Sequence, residues 1–282
     1  MKPSVAAVNI VKVSANKSEK MADLTSVEEP LEMRISYGNL QNRKKKSISV
    51  TMRTPGNDFE LAIGFLFTEG IIATQKAIKN IRYCTEPESE LAVDNIVIVE
   101  LEPNVSVDIK KLERMFYTTS SCGVCGKASI EAVQNANCPV ITKDKNLIKP
   151  ELVFDLPIRL REKQAVFEHT GGLHGCALFN FDGNLQLLRE DVGRHNALDK
   201  LLGAAISNTT FNIEKSILQL SGRVSFELVQ KAAMAAIPII TAVGAPSSLA
   251  VQSAQELGIT LIGFLREKHF NIYTHPDRID LN

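Results

Sequence analysis

Between residues 47 and 52 apolar and polar positions alternate, with Ile48, Val50 and Met52 set against Ser47, Ser49 and Thr51. A period of two predicts a half-buried strand. Thr54-Pro55-Gly56-Asn57 ends it, and Asp58 and Glu60 then favour the positive end of a following helix. Leu61, Ile63, Phe65, Leu66 and Phe67 make that helix apolar on most sides, so it reads as buried, and Gly70 stops it. Residues 96–101 predict a second strand, and 110–116 and 127–134 predict short helices. The basic run Arg43, Lys44, Lys45, Lys46 reads as a solvated hairpin turn. Residues 1–30 carry mixed charge without sustained periodicity and read as a loose tail that can pair as an edge.

The second half is more regular. Strands at 177–181 and 185–188 flank Asp182-Gly183-Asn184, a hairpin signal. Leu198, Leu201, Leu202 and Ala205 form a helical stripe. An alternation follows: strand 216–220, helix 226–236, strand 239–243, helix 249–257, strand 260–264. That rhythm predicts parallel strands with crossover helices. Ser225 and Ser247 or Ser248 suit helix N-caps, and Gly258 suits a C-cap. The expected fold is α/β: a C-terminal unit, 151–282, with a largely parallel sheet, preceded by a smaller α+β unit, 31–117. A Cys-containing loop and connector, 118–150, separates them, and a tail occupies 1–30.

Composition narrows the function classes. The chain has 282 residues, 44% of them hydrophobic, which suffices for a sizeable core. Thirty-two basic residues balance 32 acidic ones, which argues against a nucleic-acid coat. No apolar run approaches the roughly 20 residues of a membrane helix. The first 20 residues lack an apolar stretch with a small-residue cleavage site, so the expected compartment is the cytoplasm. Five cysteines form no disulfide framework.

Candidate chemistry lies in four places. Cys122-Gly123-Val124-Cys125 sits in a Gly/Ser loop beside Lys127, where a thiolate is stabilised. Disulfide exchange, zinc binding with His169 and His174, and carriage of persulfide sulfur all fit the pair. The Gly-rich segment His169-Thr170-Gly171-Gly172-Leu173-His174 implies close backbone approach. Arg194, His195 and Asn196 offer donors suited to phosphate or a guanine-like base. Ligands in open α/β sheets sit beyond the carboxyl ends of the strands. Ser221-Gly222-Arg223, 244–248 and Gly263-Phe264-Leu265-Arg266 would converge there, two of them carrying an Arg that matches phosphate geometry. Neither nucleotide-binding fingerprint is present.

Taken together, Cys122-Gly-Val-Cys125, His169-Thr-Gly-Gly-Leu-His174, Glu190-Asp-Val-Gly-Arg-His-Asn-Ala-Leu-Asp-Lys200, Leu220-Ser-Gly-Arg-Val-Ser-Phe-Glu227, Ala245-Pro-Ser-Ser-Leu-Ala250 and Gly263-Phe-Leu-Arg266 resemble the FdhD family. The likeness runs from about residue 47 to 273. It implies a cytidine-deaminase-like α/β domain without that enzyme's zinc, and a sulfurtransferase required for formate dehydrogenase activity. Sulfur would pass from a cysteine desulfurase as a persulfide to Cys122, with Cys125 as relay or resolving thiol. It would then reach a molybdenum or tungsten bis-molybdopterin guanine dinucleotide, a bound substrate, destined for apo-formate dehydrogenase. No permanently bound metal is implied. The family's cofactor segment maps to Phe264-Leu265-Arg266-Glu267-Lys268-His269, beside Ser221, Gly222, Arg223, His174, Arg194 and His195. A cytoplasmic homodimer is implied, with no nucleic-acid or membrane partner. A non-catalytic chaperone that binds and inserts the cofactor is the alternative. The chain departs from the family pattern at Cys176, where Ala is frequent, and at Gly244, where Ser is common.

Overall fold

The computed structural model describes residues 2–85, 93–107, 138–141, 147–208 and 211–281. Cys122, Cys125, the expected helices at 110–116 and 127–134 and most of the connector lie outside them.

Two antiparallel strands, β1 (Val5–Ser14) and β2 (Lys17–Ser26), form a two-stranded ribbon. Val11 and Val13 are exposed on it, so burial gives it little support. Most of the residues expected to be a loose tail therefore pair with each other, while Glu29 and Pro30 open the next strand.

Strands β3 (Glu29–Tyr37), β4 (Lys44–Arg53), β5 (Ile78–Tyr83) and β6 (Ile96–Leu101) form a sheet in the order β4-β3-β6-β5. Helix α1 (Asp58–Thr68) covers one face, and Leu31, Met33, Ile35, Leu61, Leu66 and Val99 fill the space between. The alternation at 48–52 does not survive intact. A β-bulge opposite Met33 and Arg34 shifts the register. Ile48 therefore faces the core, while Val50 is 55% and Met52 47% exposed. The basic run is no solvated turn either. Lys44–Lys46 open β4, and Arg43 donates to the carbonyls of Ser36, Gly38 and Leu101.

The second sheet has six strands in the order β12-β11-β10-β9-β7-β8. They are β7 (His174–Asn180), β8 (Leu185–Asp191), β9 (Ser216–Leu220), β10 (Ile239–Ala242), β11 (Thr260–Arg266) and β12 (His269–Thr274). The expectation of a largely parallel sheet needs correction. Only β9, β10 and β11 run parallel; β7, β8 and β12 pair antiparallel. The physical reason is connection length. Crossover helices reverse the chain between β9, β10 and β11, while tight hairpins join β7 to β8 and β11 to β12.

Helices α4 (Arg194–Ser207), α5 (Phe226–Met234) and α6 (Ser248–Leu257) lie on one face, burying Leu198, Leu201, Leu218, Val229, Ile240 and Leu261. Helix α2 (Pro150–Lys163), for which the periodicity predicted nothing, packs on the other with Val153, Leu156, Phe179, Ile217 and Ile262. Pro157 inside α2 obscures its sequence signal. Burial on both faces explains why Ile217-Leu218 and Ile239-Ile240 are adjacent apolar pairs without alternation. A short helix, α3 (Ala165–Thr170), leads into β7, and the Glu190 carboxylate accepts from the free N–H groups of Val166 and Phe167 at its start.

The two sheets meet where α1 crosses α4. Gly64 of α1 lies against the backbone of Asp199, and Gly203 of α4 lies against that of Glu60. Around this crossing charged side chains are buried in pairs. Lys231 donates to Asp199 at 2.9 Å and to Thr68 of α1 at 2.9 Å. Lys200 donates to the Thr54 carbonyl and pairs with Asp191, both at 2.7 Å. Arg53 makes a two-pronged bond to Asp58, which fixes the start of α1. Among the described residues no helix is long and apolar enough to cross a membrane.

Candidate functional site

The carboxyl ends of β8, β9, β10 and β11 point the same way, and so does the amino end of β7. The loops leaving them are tied to one another by backbone bonds. Gly244 donates to the Gly222 carbonyl, Val224 to that of Ala245, Ser247 to that of Val224 and Phe264 to that of Gly244. A Cβ on Gly244 would stand 2.9 Å from the Arg223 backbone, so this contact excludes any side chain. The three expected loops therefore converge and brace one another before any ligand arrives.

The strand ends also bring His174, Arg194, His195 and Arg223 together. Ser221 holds the start of β7, its Oγ accepting from Gly175 at 2.8 Å and its N–H donating to the Gly175 carbonyl. His174 packs on Gly222, whose missing Cβ would sit 3.2 Å from Nδ1. Burial, then the charges of Arg194 and His195, lowers the pKa of His174, with Arg223 acting in the same direction and Asp191 against it. Helix α4 is pinned at its start because Asp191 accepts from Gly193 at 2.8 Å and from Asn196 at 3.3 Å. The buried Asp191 pairs with Lys200 and reaches the crevice only through its field on His174.

Two observations show the crevice to be short of negative charge. The Nε atom of Arg194 is buried without a hydrogen-bond partner in the described residues. A buried donor of this kind calls for an acceptor that the described residues do not supply. Arg223 is exposed at the crevice mouth, and Glu227 is taken up by His195 at 2.8 Å. Burial opposes ionisation of Glu227, but the bond from His195 and the charges of His195, Lys231 and Arg194 outweigh it, so its pKa falls. Two concavities lie elsewhere among the described residues. One of about 560 Å³ is lined by Phe67, Ile213 and Met234, and one of about 300 Å³ by Pro55, Leu173 and Arg189. Among the described residues the crevice is a charged surface at the strand ends.

The segment 264–269 splits in two. Phe264 takes a left-handed backbone, φ 53°, and is 38% exposed beside the Gly244 loop. A bulge in the β11–β12 pairing then turns Leu265 the other way, into the core against α2. Arg266, Glu267, Lys268 and His269 form the exposed hairpin turn at the rim. The structure thus gathers Ser221, Gly222, Arg223, His174, Arg194, His195 and Phe264, and separates Leu265 from them. His169 is exposed at the end of α3. Cys176 is fully buried, and burial pushes its thiol pKa far up, so it is inert. Sequence reasoning gave Ser225 only a capping role and Glu227 none. Ser225 does sit at the N-cap position of α5, yet its Oγ lies 3.2 Å from His195 Nε2 and makes no cap bond. The signal was the polar Ser-Phe-Glu spacing directly after an Arg-bearing loop.

Fold and site together define a mixed α/β protein whose strand ends carry a preformed, cation-lined crevice. Residues 27–280 match the model of the FdhD/NarQ family, and the chain belongs to that family. It is 47% identical over 274 residues to the sulfur carrier protein FdhD of Streptomyces coelicolor, covering 96% of this chain and 94% of that one. It is 40% identical over 271 residues to the sulfur carrier protein FdhD of Saccharolobus solfataricus, covering 96% of each. A solved structure assigned as a formate dehydrogenase accessory protein of Desulfotalea psychrophila superposes with TM-score 0.74 at 24% identity, covering 99% of this chain and all of the other. That likeness is one of fold.

Proposed function

We propose that this chain is a sulfur carrier that serves formate dehydrogenase. The Cys122 thiolate attacks the sulfane sulfur of a cysteine desulfurase persulfide. The donor's S–S bond breaks, its cysteine leaves as thiolate, and Cys122 carries the sulfur. The substrate that receives it is the molybdenum or tungsten bis-molybdopterin guanine dinucleotide, which is then delivered to apo-formate dehydrogenase. The observation that carries this reading is the charge-deficient crevice, with the unpaired Arg194 Nε beside Arg223 and the half-buried His174. Its donors suit the diphosphates of a guanine dinucleotide, and the exposed Phe264 ring suits its base. The names carried by the relatives support the sulfur step. Under the same reading the six-stranded sheet is the cytidine-deaminase-like unit, the N-terminal sheet is a separate domain, and two copies of the chain associate in the cytoplasm.

Intact-mass spectrometry after incubation with a cysteine desulfurase and cysteine, without reductant, tests the transfer. A one-sulfur gain is expected in the wild type and in Cys125→Ala, and none in Cys122→Ala. The cofactor-holding chaperone has its own support, because His174, Arg194 and Arg223 already come together among the described residues. It prevails if no form gains sulfur and the Cys122→Ala/Cys125→Ala protein still activates formate dehydrogenase fully.

A further inference from the structure

Helices α4 and α5 face each other through two polar rungs. His195 and Asp199 stand four residues apart on α4, and Glu227 and Lys231 stand four apart on α5. Residues at that spacing share one helix face. The inner rung joins Asp199 to Lys231 at 2.9 Å, with side chains only 3% and 9% exposed. Thr68 of α1 bonds both partners of that rung, and Glu69 lies 3.5 Å from Lys231. Lys231 is thus held from three sides and cannot swing. The outer rung joins His195 Nε2 to Glu227 Oε2 at 2.8 Å, with side chains 28% and 32% exposed, at the crevice. Ser225 Oγ adds a second contact to the same nitrogen at 3.2 Å.

We infer that Glu227 is a positioning residue: one helical turn from the buried Lys231, it accepts from His195 and so fixes the ring with Nε2 as the proton-bearing nitrogen and Nδ1 as a lone-pair acceptor, set to receive a hydroxyl or N–H of a guanosine diphosphate whose phosphates the arginines take. This rests on the phosphate-binding reading of the crevice and deepens it. Arg194, His195, Asp191 at the end of β8 and Arg223 after β9 act on His174, His195, Lys231 and Arg194 act on Glu227, and Ser225 touches His195 itself. Within this set Glu227 alone pairs with a crevice donor while carrying negative charge; Asp191 is spent on Lys200.

The inference has a sign that simple electrostatics does not share. If Glu227 were only a counter-charge in a cationic crevice, removing it would tighten anion binding. If it positions His195, removing the acceptor loosens binding despite the gain in positive field. Loss of one immobilised side chain amounts to about a threefold to tenfold weaker affinity. Glu227→Gln separates the two effects, because the amide oxygen still accepts from Nε2 while the charge is gone.

The experiment is calorimetric titration of the full-length protein with guanosine diphosphate, for wild type, Glu227→Ala, Glu227→Gln, His195→Ala and the Glu227→Ala/His195→Ala pair. Thermal melts confirm that each is folded. Glu227→Ala should bind more weakly than wild type, Glu227→Gln as tightly or more tightly, and the pair no more weakly than His195→Ala alone, since residues acting as a unit are not additive. Ring-nitrogen NMR of labelled histidine should show one protonated Nε2 for His195 in the wild type and a tautomer mixture in Glu227→Ala. Tighter binding by Glu227→Ala, or additive losses in the pair, overturns the inference. If the wild type does not bind guanosine diphosphate, the crevice reading fails with the ligand half of this one. The His195 ring signature then still reports whether Glu227 sets the ring, and an unchanged signature in Glu227→Ala refutes that half as well.

Discussion

Gly64 is the position where helix propensity and packing demand opposite outcomes. Replacing glycine with alanine inside a helix ordinarily gains about 1 kcal/mol. Here the added Cβ would stand 1.8 Å from the Asp199 carbonyl oxygen and 2.9 Å from the Gly203 nitrogen, both backbone atoms. Ordinary contact begins near 3.4 Å, so α1 and α4 must part by about 1.6 Å. That parting strains the bonds that cross the junction: Thr68 to Asp199 at 2.8 Å, Lys231 to Thr68 at 2.9 Å and Arg189 to Glu60 at 2.7 Å. Overpacking against side chains costs about 1–3 kcal/mol, and stretching buried charged bonds adds to it. A net loss of about 2–4 kcal/mol is expected for Gly64→Ala. At about 3 °C per kcal/mol for a chain of this size, Tm falls by about 6–12 °C. Calorimetry or a far-ultraviolet circular dichroism melt measures it. Gly203→Ala should behave alike, and the double variant should lose less than the sum, because one separation relieves both clashes. An unchanged or raised Tm in Gly64→Ala would refute the close-crossing account.

Two further outcomes follow from the crevice and its surroundings. His174 has its pKa held below the usual 6.5 by burial and by the neighbouring cations, so the unfolded chain takes up its proton first as pH falls. Native stability should therefore drop as pH decreases below 6.5, and His174→Gln should flatten that slope in melts run from about pH 7.5 to 5.5; coincident slopes would contradict this. The Cys176 thiol, buried and driven towards its neutral form, should resist alkylation in the native protein and react only on unfolding, as peptide mapping would show; rapid native labelling would sink the claim.

The motifs carried the family, and the apolar periodicity carried the strands and helices from 174 onward. Strands β9, β10 and β11 and the helices between them fall where the pattern put them, because each element is long enough for its period to show and is closed by caps such as Ser247, whose Oγ accepts from Ala250, and Gly258 at φ 75°. The loops at 221–223, 244–248 and 263–266 were legible as a group for the same reason: parallel strands with crossover helices leave their carboxyl ends on one side.

What the sequence could not settle is whatever depends on contacts between distant residues. A bulge in β4 turned Val50 and Met52 outward, and another in β11 sent Leu265 into the core while leaving Phe264 at the rim. A period-two pattern carries no mark of an inserted residue, so register is decided by the partner strand. Ser225 matched a cap by type, yet tertiary structure gave its hydroxyl to His195, thirty residues earlier in the chain. The function of Gly64 and Gly203 likewise appears only when two helices, far apart in sequence, cross at backbone contact. Local pattern fixes which elements form and which chemical groups are available. Only the packed chain decides which of those groups meet, because burial, charge pairing and excluded volume are properties of neighbours in space and not of neighbours in sequence.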